Sequence, residues 1–504
     1  MFSCSGPRPG KTSGYTTPVS SPSAEKRIPQ ETQVPFTPAP VSETTRSWTI
    51  LGKEIHDGGC GMALLTLIRG ATVYAPKPLG QKDILIGGRH ILAIADDLSL
   101  HGSFPGIVEL DADGLTLFPG LVDQHVHMAG GGGEGGFHYR TPEISLSHIT
   151  ASGVTTAVGV LGTDGVTRTT RELLAKAMAL DFEGVSTYIY CGAYQIPTRT
   201  ITGMPRSDIV LIDKVIGVGE IAISDMRSSH PSDHDLSELA SEARVGGLLS
   251  GKAGVVHLHV GDDDSKLDIL FEVLKKTELP KSTFTPTHLN RNADLLKEAI
   301  RYGRDGGIVD VTSGIRPDEH DHVSVKPSLA IRRLLDAGVK PHLITMSSDS
   351  NGSSPIFDDK GKLVVMGIGS ITTLWEETRD AIVDEEVPIE VAIGIVTRHV
   401  ARVLKLEHKG AIHPGYDADL LLTDERYQIR HVFAKGRQMV KDGEPIVFGT
   451  FENASGIPGS PDSKDSAGQT NAHRGRPMIS PDEDDPDDFP DRDERQKRSR
   501  RYCC

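Results

Sequence analysis

The feature that most constrains this chain is a short apolar run that ends in histidine or aspartate and gives way to a helix-like stretch, repeated along the sequence. The first run, Leu115 to Asp123, leads into Gln124-His125-Val126-His127. In a strand, residues i and i+2 share a face, so His125 and His127 present two imidazoles to one point while Val126 faces the packing side. Two histidines alone describe a hydrogen-bonded pair at a strand end equally well. Three further runs change the balance: Val255 to Asp262 carries His257 and His259, Phe284 to Arg291 carries His288, and His342 to Ser348 ends at Asp349. Helix-like stretches at Asn292 to Tyr302 and Leu329 to Ala337 lie between or after them. Alternating strand and helix argues a parallel α/β architecture. In a closed barrel of this kind, functional groups come from the carboxyl ends of several strands, where these residues fall.

Further motifs follow in order: Gly130-Gly131-Gly132-Gly133-Glu134, Gly192-Ala193-Tyr194, Arg199 to Gly203, Ile223-Ser224-Asp225-Met226-Arg227, Thr287 to Asn292 and Ser347 to Ser353. With His125-Val126-His127, they make the chain resemble the amidohydrolase superfamily and, within it, the isoaspartyl dipeptidases, from about Leu64 to Glu452. The resemblance implies an α/β fold, a (β/α)8 TIM-like barrel with a small β-sandwich domain formed from both ends of the core. It also implies a binuclear metallo-hydrolase that cleaves β-aspartyl (isoaspartyl) dipeptides. The expected organisation is a disordered extension over residues 1–60, the small domain from 61–118 and 405–453, the barrel over 119–404, and a disordered charged tail over 454–504.

Composition is compatible with this reading. The tails are rich in Ser, Thr, Pro or charge and lack the apolar content that offsets ordering. Leu64 to Tyr74, Asp83 to Ile94 with a turn at Gly87-Gly88, Asp417 to Thr423 and Ile429 to Gly436 read as the strands of the small domain. The formal net charge of -15 argues against nucleic-acid binding, which needs a clustered basic footprint. Five scattered cysteines argue for a reducing compartment, here the cytoplasm, and no run is apolar enough to span a membrane. The resemblance adds a homo-oligomer, an octamer.

Amide hydrolysis near neutral pH needs a strong nucleophile and charge relief at the carbonyl oxygen, which two divalent cations, Zn2+ above all, supply through a bridging hydroxide. The expected ligands are His125 and His127 with Asp349 for one ion, His259 and His288 for the other, and Glu220 spanning both. His257, one pleat from His259, is given a structural role. In the bacterial isoaspartyl dipeptidase pattern a carboxylated lysine occupies the place of Glu220, and one extra residue stands nearby here. A glutamate also ends in a two-oxygen anion, and the extra residue can offset its shorter reach by a local backbone shift. Asp349 is the expected proton carrier and Tyr194 the donor to the developing oxyanion. For the substrate, the resemblance assigns Glu134 to the ammonium, Arg227 and Arg291 to carboxylates, and Gly132, Thr163, Tyr194 and Ser353 to further contacts. Two alternatives remain at this stage: another amidohydrolase acting on cyclic amides or N-acyl amino acids, and a metal-free scaffold protein.

Overall fold

The computed structural model describes residues 65–99, 106–317, 323–357 and 363–452, together with three two-residue strands, Thr49–Ile50, Lys53–Glu54 and Arg500–Arg501. The chain divides into two units, Met1–Gly61 and Met62–Cys504. Within the first, Thr49–Ile50 pairs antiparallel with Lys53–Glu54. In the second, Arg500–Arg501 pairs antiparallel with Ile356 and Phe357. Both ladders fall in or against stretches expected to be disordered; the remainder of those two stretches lies outside the described residues.

Six strands, Leu121–Val126, Val154–Gly159, Ser186–Cys191, Val215–Ile223, Val255–Val260 and Phe284–Thr287, pair in parallel in chain order. Two more, Val309–Thr312 and Ile344–Ser347, pair in parallel with each other. Backbone hydrogen bonds join the two groups at both edges. Leu289 N donates to Asp310 O at 3.3 Å on one side; on the other, Asp349 N donates to His125 O at 3.1 Å and His127 N to Ser350 O at 2.8 Å. This arrangement is consistent with a TIM-like barrel. Nearly every residue of these strands is buried, as expected of parallel strands covered on both faces. The covering helices start where the sequence supplies caps: the Asn292 side chain accepts from Leu295 N at 2.8 Å ahead of Ala293–Arg304, and Thr169 with Glu172 forms a capping box ahead of Thr170–Glu183.

Both ends of the core meet in one mixed nine-stranded sheet. Leu65–Tyr74, Pro78–Gly87, His90–Ala95, Ile107–Asp111 and Thr116–Pro119 come from one end, and four strands from Leu420–Thr423 to Glu444–Pro445 from the other. Thr116–Pro119 pairs antiparallel with Leu420–Thr423 and so stitches the two ends together. The expected hairpin is present: Gly87 pairs with His90 across a two-residue turn in which Gly88 has φ 55°. The sheet has an apolar cluster of its own, including Ile68, Val73, Ile84, Ile86, Leu117, Leu420 and Phe433.

The apolar run read as one element, Leu115 to Asp123, is two. It changes sheet at Gly120, where Thr116–Pro119 ends and Leu121–Val126 begins. A Cβ at Gly120 would lie 2.3 Å from Thr155 Oγ1, so the close approach of the neighbouring barrel strand excludes any side chain. Among the described residues no helix is long and apolar enough to cross a membrane.

Candidate active site

The predicted ligands converge at the carboxyl ends of the parallel strands. His125 lies on the first and His127 one residue past it; Glu220 and His259 lie on the fourth and fifth; His288 and Asp349 follow the sixth and eighth. Glu220 is central and fully buried. Its Oε2 is 3.5 Å from His125 Nε2, 3.1 Å from His259 Nδ1 and 3.5 Å from His288 Nε2, while Oε1 is 3.5 Å from His127 Nε2. Asp349 Oδ1 is 3.1 Å from His127 Nε2 and 3.4 Å from His125 Nε2. Three overlapping triads have ligand atoms close enough to share a cation: His125, His127 and Glu220; His125, His288 and Asp349; and Glu220, His259 and His288.

Local backbone departures aim these groups. Val218 pairs with Val256 but Ile221 with Leu258, so three steps on one strand oppose two on its neighbour, a bulge that turns Glu220 toward the barrel axis. His288 and Asp349 occupy left-handed backbone at φ 64° and 57°, an uncommon conformation in which His and Asp are among the better tolerated side chains.

The donor set fits a metal. Buried atoms His125 Nε2, both ring nitrogens of His127, His288 Nε2, Glu220 Oε1 and Asp349 Oδ1 have no hydrogen-bond partner, although buried polar atoms rarely stay unsatisfied in native proteins. Nitrogen and carboxylate oxygen suit zinc and its neighbours. The electrostatics agree. Burial disfavours a charged His125, but Glu220 and Asp349 outweigh it and lift its pKa to about 9. Burial raises Glu220 while His125, His259 and His288 hold it well below the usual carboxylate range. His257, outside all three triads, has Nε2 2.8 Å from His125 Nδ1 and Nδ1 3.0 Å from Thr285 Oγ1, and so orients the His125 ring.

The residues expected to bind substrate form a second cluster beside the first. The Tyr194 hydroxyl is 2.9 Å from His259 Nδ1. Thr163 Oγ1 and Ser353 Oγ donate to Glu134 Oε1 and Oε2 at 3.0 and 2.9 Å, and Arg227 Nη1 reaches Glu134 Oε1 at 3.3 Å. Arg227 also lies over the Tyr194 ring, 5.4 Å from its centroid. Gly132, at φ 78°, has Ser353 beside it and Tyr139 O 2.5 Å from where a Cβ would stand. Arg291 is buried, 4.0 Å from Asp262, and donates through Nε to Val260 O at 3.1 Å.

The sequence reading gave no role to four buried groups. Asp225 pairs with both Arg227 and His259. Asp310 accepts from Gln124, Thr287, Thr345 and Ser347 at 2.6–2.7 Å beneath the ligands. Asp123 accepts from the backbone of His125 and Ser348. Arg168 donates to the carbonyls of Ala129, Gly131 and Thr141 and so secures the glycine-rich loop.

A family model described as the amidohydrolase family matches residues 116–440, which include every predicted ligand named above. The chain belongs to the amidohydrolase family. This amidohydrolase is 41% identical to a solved β-aspartyl dipeptidase from Fervidobacterium islandicum AW-1, in complex with β-Asp-Leu, with a TM-score of 0.70 over 76% of this chain and 98% of that one. A second structure of β-aspartyl dipeptidase from that organism gives 39% identity and a TM-score of 0.68 over the same shares. Among curated relatives it is 25% identical over 370 residues to an adenine deaminase from Geobacillus kaustophilus, covering 68% of this chain and 53% of that protein. The amidohydrolase thus spans about half the length of that relative. It is also 22% identical over 400 residues to a dihydroorotase from Lactobacillus johnsonii, covering 72% of this chain and 90% of the relative.

Proposed function

We propose that this protein is a metal-dependent hydrolase of β-aspartyl dipeptides. The observation that carries the substrate class is the contact between Glu134 and Arg227, 3.3 Å apart and next to the ligand cluster. An isoaspartyl residue keeps a free α-ammonium and a free α-carboxylate on one carbon, and a carboxylate beside a guanidinium complements that pair. Cyclic amides and N-acyl amino acids both lack the free ammonium. The 41% identity to the Fervidobacterium β-aspartyl dipeptidase supports the same reading.

In this reading two Zn2+ ions would be held, one by His125, His127 and Asp349 and the other by His259 and His288, with Glu220 available to both; the triads His125–His127–Glu220 and Glu220–His259–His288 support the central place of Glu220. Such a pair supplies a strong nucleophile at neutral pH and polarises the scissile carbonyl. Glu134, steadied by Thr163 and Ser353, binds the α-ammonium, and the backbone at Gly132 lets the ligand come close. Arg227 and Arg291 hold carboxylates; the Nε and Nη2 side of Arg227 is engaged by Asp225, so its Nη1 end faces the substrate. The Tyr194 hydroxyl donates to the carbonyl oxygen as negative charge develops there. Asp349 accepts a proton from the attacking water and returns it to the departing nitrogen, which is otherwise a poor leaving group. The parallel strands close as a (β/α)8 barrel, and the nine-stranded sheet folds over its own apolar cluster as the small β-sandwich.

The test is a side-by-side assay of β-aspartyl-leucine, α-aspartyl-leucine, hydantoin and an N-acyl amino acid. Turnover of the first far above the others is expected. Preferential turnover of hydantoin or the N-acyl compound overturns the reading.

A further inference from the structure

Asp225 is a buried carboxylate that touches both clusters. Its Oδ1 accepts from Arg227 N at 2.8 Å and Arg227 Nε at 3.0 Å, and its Oδ2 from Arg227 Nη2 at 2.8 Å. The same Oδ2 lies 2.9 Å from His259 Nε2. The side chain is wholly buried and follows the fourth barrel strand, whose bulge carries Glu220. Three N–H donors of Arg227 converge on its two oxygens, which places this carboxylate as an acceptor.

Two consequences follow from an acceptor at this place. Nε2 of a neutral His259 must carry the proton, which leaves the Nδ1 lone pair facing Glu220 Oε2 at 3.1 Å and the Tyr194 hydroxyl at 2.9 Å. Two acceptors at 3.1 Å repel unless a cation or a proton stands between them, so this tautomer presents Nδ1 as a metal ligand. Meanwhile the bidentate pairing through Nε and Nη2 fixes the plane of the Arg227 guanidinium and aims Nη1 at Glu134.

We propose that Asp225 is a positioning residue that sets two things at once: the ring orientation and tautomer of His259 as a metal ligand, and the orientation of Arg227 as the recognition group for the substrate α-carboxylate. The second half rests on the β-aspartyl peptidase reading; the first does not. One carboxylate then ties metal retention to substrate affinity, so a change at this residue moves both while changes at either partner move one.

The test compares Asp225→Asn with Arg227→Lys on the full-length zinc-loaded protein. Asparagine keeps the shape but loses the charge and the obligatory acceptor character. The fraction of zinc retained under a graded chelator, read without substrate, is expected to show an affinity about 10–100-fold weaker in Asp225→Asn. KM for β-aspartyl-leucine rises at least tenfold in the same variant. Arg227→Lys raises KM comparably while retaining zinc like the parent. Parent-like zinc retention in Asp225→Asn, or a parent-like KM, overturns the proposal. If Asp225→Asn does not fold, Asp225→Glu takes its place: a carboxylate displaced by one methylene is expected to weaken both readouts, and a parent value in either overturns the proposal. Should the parent itself fail to hydrolyse β-aspartyl-leucine, the functional reading falls, while zinc retention still decides the role toward His259.

Discussion

Two buried clusters of charged residues in this molecule invite comparison. In the first, between the nine-stranded sheet and the start of a barrel strand, Lys409 Nζ donates to Ser186 Oγ at 2.6 Å, Asp419 Oδ2 at 2.5 Å and Asp417 Oδ2 at 2.7 Å. Arg89 completes Asp417 through two bonds, and Lys435 N completes Asp419. Its charged groups are all partnered. The second cluster, at the opposite ends of the strands, gathers four histidines and two carboxylates and leaves six of their atoms without a hydrogen-bond partner. The first answers its desolvation cost internally; the second is complete only with cations. Satisfaction, rather than burial or charge, separates a structural knot from a binding centre.

Breaking the centre gives the largest expected effect. Glu220→Gln puts a neutral amide where the six-residue cluster has its shared anion, and turnover is expected to fall about 10^2–10^4-fold, the equivalent of ~3–5 kcal/mol, with loss of bound zinc. Because a glutamate needs no modification by carbon dioxide, zinc loading of the parent is expected to be indifferent to bicarbonate. Full zinc content and near-parent activity in the variant would remove Glu220 from the ligand set.

The knot should fail in the opposite manner. Lys409→Met removes the cation between Asp417 and Asp419 and leaves them with Arg89 and the Lys435 amide, so unfolding is expected to become easier by about 3 kcal/mol, seen as a thermal midpoint several degrees lower. Turnover per folded molecule should stay at the parent level. A variant that keeps its midpoint but loses activity would erase the distinction drawn above.

Arg291→Lys probes the recognition groups alone. The charge survives but the planar fork is lost, and kcat/KM is expected to drop about 10–100-fold, in line with the ~1.5–3 kcal/mol of a charge-assisted hydrogen bond. Zinc content should not change, and parent-like kinetics would show that this buried guanidinium does not clamp substrate.

A further effect concerns pH. With its pKa lifted to about 9, His125 is expected to be protonated at neutral pH in the metal-free protein. The stability this adds is fully present below the unfolded pKa of ~6.5 and is lost as pH rises through about 9. Zinc needs the lone pair that the proton occupies, so its affinity is expected to rise with pH across this window by up to about tenfold per unit. Competition titrations from pH 6.5 to 9 check this, and a flat profile would contradict a protonated His125.

How much of this was readable in the chain depends on how local each signal is. His125, His127, His259, His288 and Asp349 terminate apolar runs, and such runs announce themselves by composition. Glu220 stands inside the run Val215–Ile223, where alternation gives no hint of a bulge, and only the family resemblance brought it forward. Asp310 and Gln124 are 186 residues apart, and Arg168 meets the glycine-rich loop 37 to 39 residues away, so no window of sequence contains both partners. Asp225 stood two residues from Arg227 in a motif already singled out, but its second partner, His259, lies 34 residues on. The nine-stranded sheet was visible as strands yet not as one continuous sheet, because its joining ladder unites Thr116–Pro119 with Leu420–Thr423.

That ladder has a consequence for the order of events during synthesis. The strand that runs through Gly120 into His125 and His127 is anchored, on the sheet side, by residues made some three hundred positions later, and Gly120 N itself donates to Asp419 O at 2.8 Å. A growing chain can therefore fold its early barrel strands well before their lead-in strand has a partner. Contacts of such long sequence separation form late. Metal capture is thus expected to wait for nearly the whole described chain to leave the ribosome, and a premature stop before Leu420 would yield a polypeptide that holds all six predicted ligands yet lacks the strand that pairs with the lead-in to the first two.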